Sequence, residues 1–437
     1  MVFFVFVYLL KIGFLIFFSW YKNKLLWDIH NYLSKKVYKK YLEQDINFFK
    51  NKNTGEIIRD LTSEISMFIT NGVAPIIVII SNSFTLFGFV IVFLIINYKV
   101  TLILIVLNFL FAYLFNFSNK FLLIKWGLKR HINEGFRISY LNQGINSIKE
   151  AKIYGKEKWF LDKFDKYNKL TFNSLKNYDF FKTLPRFFIE TIILISIVAI
   201  IIFFYQEQVL NQSLPFFGAL CIGFFRAMPI VSQTLVSLQS LNYVKSAYDL
   251  VVNSLNLNSE NSISENNYTA LDFKNSIEIK NLTLFYENKN NLVLNNINLS
   301  ISKGDCIGIV GESGAGKSTF VDLLMGLIKP NNGNITVDGK NIFSNLKNWQ
   351  KLIGYVPQSI YLIDDSIKKN IAFGEDEKNI NLNRLKQSIE DAELVNLVNN
   401  TSEKEDTIIG EKGAKLSGGE RQRIAIARSI YIDPEVM

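Results

Sequence analysis

Residues 311–319 read Gly311-Glu312-Ser313-Gly314-Ala315-Gly316-Lys317-Ser318-Thr319, a match to the pattern G-x-x-x-x-G-K-[ST]. The flanking sequence supplies the context such a loop needs. Residues 305–310 form an apolar run suited to a buried strand, and residues 320–328 read as a helix. Strand, glycine-rich turn and helix in that order make a phosphate cradle. The glycines turn backbone N–H groups inward, and the helix contributes the positive end of its dipole. Lys317 is expected to reach the β- and γ-phosphates of a nucleoside triphosphate, and Ser318 to offer its hydroxyl to Mg²⁺. Further along, residues 416–420 spell Leu416-Ser417-Gly418-Gly419-Glu420, ahead of a helix expected over 421–431.

Working back toward the N-terminus, the text changes character. Apolar residues make up 49% of the chain and Phe alone contributes 37, and this excess lies mostly before residue 240. Residues 1–20 are apolar apart from Lys11; they lack a small-residue cleavage site and are too long for the core of a signal peptide, so a transmembrane helix is expected. Further spans are expected at about 73–96, 99–118, 187–205 and 213–240. Residues 21–72 carry nine Lys or Arg and residues 119–186 still more, whereas 97–99 hold one and 205–213 none. The net charge of +9 therefore sits in loops between apolar spans, which fits cationic cytoplasmic segments rather than a nucleic-acid surface. Both basic loops and the C-terminal part are expected on the cytoplasmic side, with the N-terminus outside. The long basic segments, such as 141–170 with Leu141, Ile145, Ile148, Ile153 and Leu161 at helical intervals, are expected to continue the membrane helices into the cytoplasm.

Two cysteines, Cys221 and Cys306, lie far apart, which argues against disulfides and zinc. His30 and His131 are isolated and expected to be solvated or interfacial. Arg226, inside the fifth span, costs about 2.5–3.5 kcal/mol at mid-membrane and so is expected to face a partner or a cavity. Glu190 on the preceding span stands at a similar depth. A Glu190–Arg226 pair and contact of Arg226 with an anionic substrate are both open readings.

A linker rich in Asn, Ser and Glu covers 253–272 and separates the membrane half, 1–252, from a domain over 273–437. In the latter, 277–284 alternates like an edge strand.

With these features the chain resembles an ABC transporter of the exporter type, in which a helical membrane domain is fused to an α/β P-loop ATP-binding domain. The resemblance covers essentially the whole chain. It implies ATP and Mg²⁺ as cofactors and a second transporter half as partner, with a homodimer expected. Residues 416–420 are similar to the family signature, which implies that Ser417 and Gly419, with Gly418 and Glu420 beside them, meet the γ-phosphate of ATP held by the opposite subunit. Gln358, in Tyr-Val-Pro-Gln, resembles the glutamine that senses Mg²⁺. Tyr286 sits where the family stacks an aromatic on adenine. Residues 410–413 resemble the exporter-specific segment before the signature, residues 47–56 the first coupling segment, and a second is implied near 147–155.

The family continues past the position of Met437 into an Asp that orders Mg²⁺, a Glu that polarises water and a distal His, none of which this chain contains. Catalytic residues are therefore expected outside it, and the ATP-binding domain is expected to be truncated at its C-terminus and the membrane domain to lack a helix at the front. Short matches at 97–102, 185–190 and 225–229 look most like bacterial flippases of lipid-linked oligosaccharides, implying an amphipathic, anionic substrate, lipid contact, no nucleic acid and a place in the cell (inner) membrane. A peptide or drug exporter, or an ATP-binding partner subunit that does not hydrolyse, are the alternatives.

Overall fold

The computed structural model describes residues 2–96, 98–206, 214–257, 272–285 and 292–437. The chain divides into two compact units, Met1–Ile263 and Ser264–Met437. Among the described residues the first unit is entirely helical. Its long members are α1 (Val2–Leu42), α5 (Ala74–Ile96), α6 (Tyr98–Asn146), α8 (Glu157–Gln206) and α9 (Leu214–Tyr243), with the short α2 (Ile46–Asn51), α3 (Thr54–Arg59), α4 (Ile65–Phe68), α7 (Ile148–Ile153) and α10 (Lys245–Leu255) between and after them. At 1.5 Å per residue α5 is about 35 Å long, enough to cross roughly 30 Å of hydrocarbon. By length and composition Val2–Leu42 and Thr54–Ile95 are each able to cross a membrane. Phe3, Phe4, Phe84, Phe87, Phe109 and Phe121 are exposed, a surface suited to lipid rather than water.

The polar ends of these helices pack on one another instead. Val37 and Tyr41 of α1, Ile65 of α4 and Val251 of α10 share one buried cluster. Leu123 of α6, Tyr178 of α8 and Tyr243 of α9 share another, with the two tyrosine rings stacked 3.8 Å apart and nearly parallel. Gly55 lies against α6: a Cβ there would stand 2.8 Å from the Ser139 backbone, so only glycine permits the approach. Residues 141–170 are not one helix. α6 ends at Asn146, α7 follows, and the turn 154–156, with Gly155 at φ +60°, reverses the chain into α8. The left-handed glycine is the physical reason for the break.

The second unit contains a four-stranded antiparallel sheet ordered β2-β1-β3-β4, formed by β1 (Ser276–Phe285), β2 (Leu292–Ser302), β3 (Asn332–Val337) and β4 (Lys340–Asn341). β1 is an interior strand rather than an edge, paired to β2 through Ile277–Ile301 and to β3 through Ile277–Val337. Its burial phase slips at Lys280–Asn281, where Asn281 takes φ +52°, so that Ile277 and Ile279, then Leu282 and Leu284, are buried. One-faced burial allowed the same alternation at an edge or a centre. Around the sheet lie α11 (Lys317–Leu324), α12 (Leu346–Lys351), α13 (Ile367–Ile371), α14 (Leu382–Asp391), α15 (Val395–Asn399) and α16 (Gly418–Tyr431). A second core gathers Leu362, Ile367, Ile371, Leu385, Leu394 and Ile424.

The run 305–310 does not become a buried strand. It carries no strand assignment, and Val310 is 92% exposed. No strand among the described residues flanks it, so its apolar side chains remain open despite their suitability for a core.

Candidate functional site

From residue 310 the chain enters a turn in which Gly314 takes φ +86° and Gly316 φ +90°. A Cβ at Gly316 would be strained by that φ and would stand 3.2 Å from Val293 O and Leu294 Cδ2. Gly316 is the N-cap of α11, which is held by the buried Phe320 and Leu323 and closed at its start by Phe320 N donating to Gly316 O at 2.8 Å. Ala315 N donates to Glu312 O at 3.2 Å. The Lys317 ammonium folds over the loop and donates to Gly311 O at 2.8 Å and Glu312 O at 2.7 Å. Gly311, Glu312, Ser313, Gly314, Ala315 and Ser318 are exposed, with Lys317 and Thr319 half-buried. An anion placed here meets turn N–H groups, a helix N-terminus and an ammonium already bent toward the loop.

The second helix N-terminus is built by α16. Ser417 is its N-cap, with Glu420 N donating to Ser417 Oγ at 3.3 Å and the Glu420 carboxylate accepting from Ser417 N at 2.7 Å, a capping box. The Ser417 hydroxyl also donates to Glu420 Oε2 at 2.7 Å. The hydrogen bonds from Ser417, its backbone N–H first and its hydroxyl second, hold the Glu420 carboxyl below the usual carboxylate range. Nothing lies within 4 Å of where a Cβ would stand on Gly418 or Gly419, so both present open backbone. The interior face of α16 buries Ile424, Ala427 and Tyr431. Before it, residues 410–413 make a tight turn with Gly410, Lys412 and Gly413 all at positive φ. Among the described residues no hydrogen bond joins 311–319 to 417–420.

Gln358 is exposed in the irregular stretch that follows Gly354, whose N–H donates to Val436 O at 2.8 Å. Tyr286 lies outside the described residues.

Two family models divide the chain between them. One, described as the ABC transporter transmembrane region, matches residues 1–217, and one described as ABC transporter matches residues 294–437. The chain belongs to the ABC transporters, as an exporter with fused transmembrane and ATP-binding domains. It is 28% identical to an ATP-dependent lipid A-core flippase of Saccharophagus degradans, over 93% of this chain and 68% of that protein. It is 41% identical to the alpha-hemolysin translocation ATP-binding protein HlyB of Escherichia coli O157:H7, over 38% of this chain and 23% of that one. A solved bacterial Atm1-family ABC exporter with ATP bound shares the fold, with a TM-score of 0.81 at 19% identity, covering 94% of this chain and 72% of that chain. The ATP-binding domain of this exporter is accordingly that of an ABC-type ATPase coupled to transport.

In the membrane half of the exporter, Glu190 does not wait for Arg226. Its carboxylate accepts from Arg186 Nε at 3.0 Å, one turn earlier on α8. The i,i+4 spacing makes that partner available without any helix–helix contact. Arg226 is exposed on α9. His131 is the other departure, being neither solvated nor isolated. Its Nδ1 stands 3.3 Å from Glu64 Oε1, and Arg130 Nη2 donates to Glu64 Oε2 at 2.7 Å. Neither Glu64 Oε1 nor His131 Nδ1 has another partner, so a proton on Nδ1 satisfies both.

Charged residues at 59, 60 and 64, set among Ile57, Ile58, Leu61 and Ile65, are the signal in sequence for this buried polar layer. Asp60 and Glu64 are wholly buried at the two ends of a widened, π-wound turn, Asp60–Glu64.

Proposed function

We propose that the protein is one half of a dimeric ATP-driven exporter of the cell (inner) membrane, crossing it five times within this chain, with the ATP-binding domain on the cytoplasmic side. Two copies would pair so that ATP and Mg²⁺ on Gly311–Thr319 of one are closed by Ser417–Glu420 of the other. The observation that carries this reading is the pair of built helix N-termini in one domain, Gly316–Lys317 and Ser417–Gly418, with no hydrogen bond between them in one chain. An anion held between two such termini is stabilised twice. In that arrangement the bonds of Lys317 to Gly311 O and Glu312 O would be exchanged for phosphate oxygens, and Ser318 with Gln358 would face Mg²⁺.

The cargo best supported is a lipid-linked oligosaccharide or related anionic glycolipid, consistent with a flippase among the relatives and with an exposed Arg226 on α9. Peptide export is the second reading, favoured by the higher identity of the ATP-binding part to a hemolysin translocator. Reconstitution of the full-length protein in proteoliposomes with Mg-ATP separates the two. Flipping of a pyrophosphate-linked glycolipid, lost in Lys317→Ala and reduced in Arg226→Ala, is the expected result. Accumulation of a peptide with no glycolipid movement overturns the cargo, and unchanged Mg-ATP binding in Lys317→Ala overturns the site.

A further inference from the structure

The Asp60 carboxylate joins three pieces of the chain. Its Oδ1 accepts from Arg59 Nε at 3.1 Å and Nη2 at 2.7 Å. Its Oδ2 accepts from Lys52 Nζ at 2.5 Å and from the Tyr41 hydroxyl at 3.0 Å. The Tyr41 oxygen also accepts from Lys52 Nζ at 3.0 Å and meets Ser254 Oγ at 3.0 Å. Tyr41 ends α1, Lys52 ends the strap 46–52, and Ser254 lies on α10. The strap is itself pinned at both ends, by Asp45 accepting from Phe48 N and Asn53 from Gly55 N. Lys40 Nζ donates to Leu257 O at 3.0 Å, a second tie between α1 and the chain after α10.

A full complement of hydrogen bonds on a buried carboxylate makes such a joint specific, because removing the carboxylate leaves Arg59 buried without its counter-ion and removing a donor leaves an oxygen under-satisfied. No apolar contact would fix three backbones in one register as sharply. Among the described residues α10 is the last helix of the first unit.

We propose that Asp60 is a positioning residue for ATP-driven transport: its carboxylate fixes Lys52 of the strap 46–52 and the Tyr41 hydroxyl at the end of α1, and Tyr41 in turn ties both to Ser254 of α10, so that the three move as one block. The clamp rests on the contacts themselves. Its part in transport rests on the exporter reading above.

The test uses the full-length protein in lipid nanodiscs, with Cys221 and Cys306 replaced by Ser, spin labels at Asn51→Cys and Asn256→Cys, and the labelled copies diluted into an excess of cysteine-free copies so that only distances within one chain are read. A single narrow distance is expected without nucleotide, unchanged in width by Mg-ATP. Asp60→Asn and Tyr41→Phe should each widen it at least twofold. Asp60→Asn should also lower the maximal ATPase rate at least threefold at an unchanged KM for Mg-ATP, and Asp60→Glu should restore both rate and width. Equal widths in the parent, Asp60→Asn and Tyr41→Phe overturn the clamp, and Tyr41→Phe keeps that comparison available should Asp60→Asn fold poorly. A widened distance with an unaltered maximal rate overturns the positioning role. No Mg-ATP hydrolysis in the full-length parent removes the exporter reading instead, with the nucleotide-free distances still deciding the clamp.

Discussion

Glu64 carries the sharpest electrostatic consequence at the scale of single residues. Burial favours its neutral form, but the hydrogen bond with His131 and the Arg130 charge outweigh burial and lower its pKa to about 2 from an ordinary 4.5. A folded-state pKa below the unfolded value stabilises the fold above about pH 4.5, and that contribution is lost as pH falls toward about 2. A shift of this size is on the order of 3 kcal/mol. Glu64→Gln should therefore flatten the acid limb of a thermal-melting profile between those pH values and destabilise the protein by about 3–5 kcal/mol near neutrality, because Arg130 is left buried and unpaired. Ser417 is a milder case. Ser417→Ala removes the acceptor for Glu420 N, and a stability loss of about 1 kcal/mol in denaturant melts is expected. The turn and helix start at 311–319 were legible because their geometry is local, set by glycines and a lysine a few positions apart. Glu64, Arg130 and His131 were not, since their meeting spans 66 residues of sequence.

Element geometry decides how the polar ends of the helices assemble. α3 approaches α6 only because Gly55 has no side chain. Gly55→Val should separate them and cost about 1–3 kcal/mol, read as a lower melting temperature together with faster proteolysis of 46–59. Helical periodicity anticipated the long helices but not their interruption at residues 147 and 154–156, since a left-handed turn needs one glycine and leaves the surrounding pattern intact. Alternation in 277–284 anticipated a strand. It could not distinguish edge from centre, because one buried face looks the same in either place and the bulge at Asn281 restores the phase.

At the scale of the whole molecule, the proposed closure of ATP between two copies has a direct consequence. Mg-ATP should raise the dimer fraction of the protein in detergent, measured by mass photometry, and Lys317→Ala should abolish the rise, because a ligand bound only by the paired state stabilises it by mass action. Fused membrane and nucleotide halves were readable from apolar runs, basic loops and the 311–319 loop, all of which depend on neighbours in sequence. The capped start of α16 was not legible in the same way, since the helix expected over 421–431 begins at Gly418 behind the Ser417 cap. Pairing of Glu190 with Arg186 rather than Arg226, the exposure of 305–310 and the gathering of Lys52 and Tyr41 on Asp60, with Ser254 on the Tyr41 hydroxyl, needed coordinates. Short-range chemistry is written in spacing. A choice among several possible partners depends on which backbones are brought within about 3 Å, and that is a property of packing.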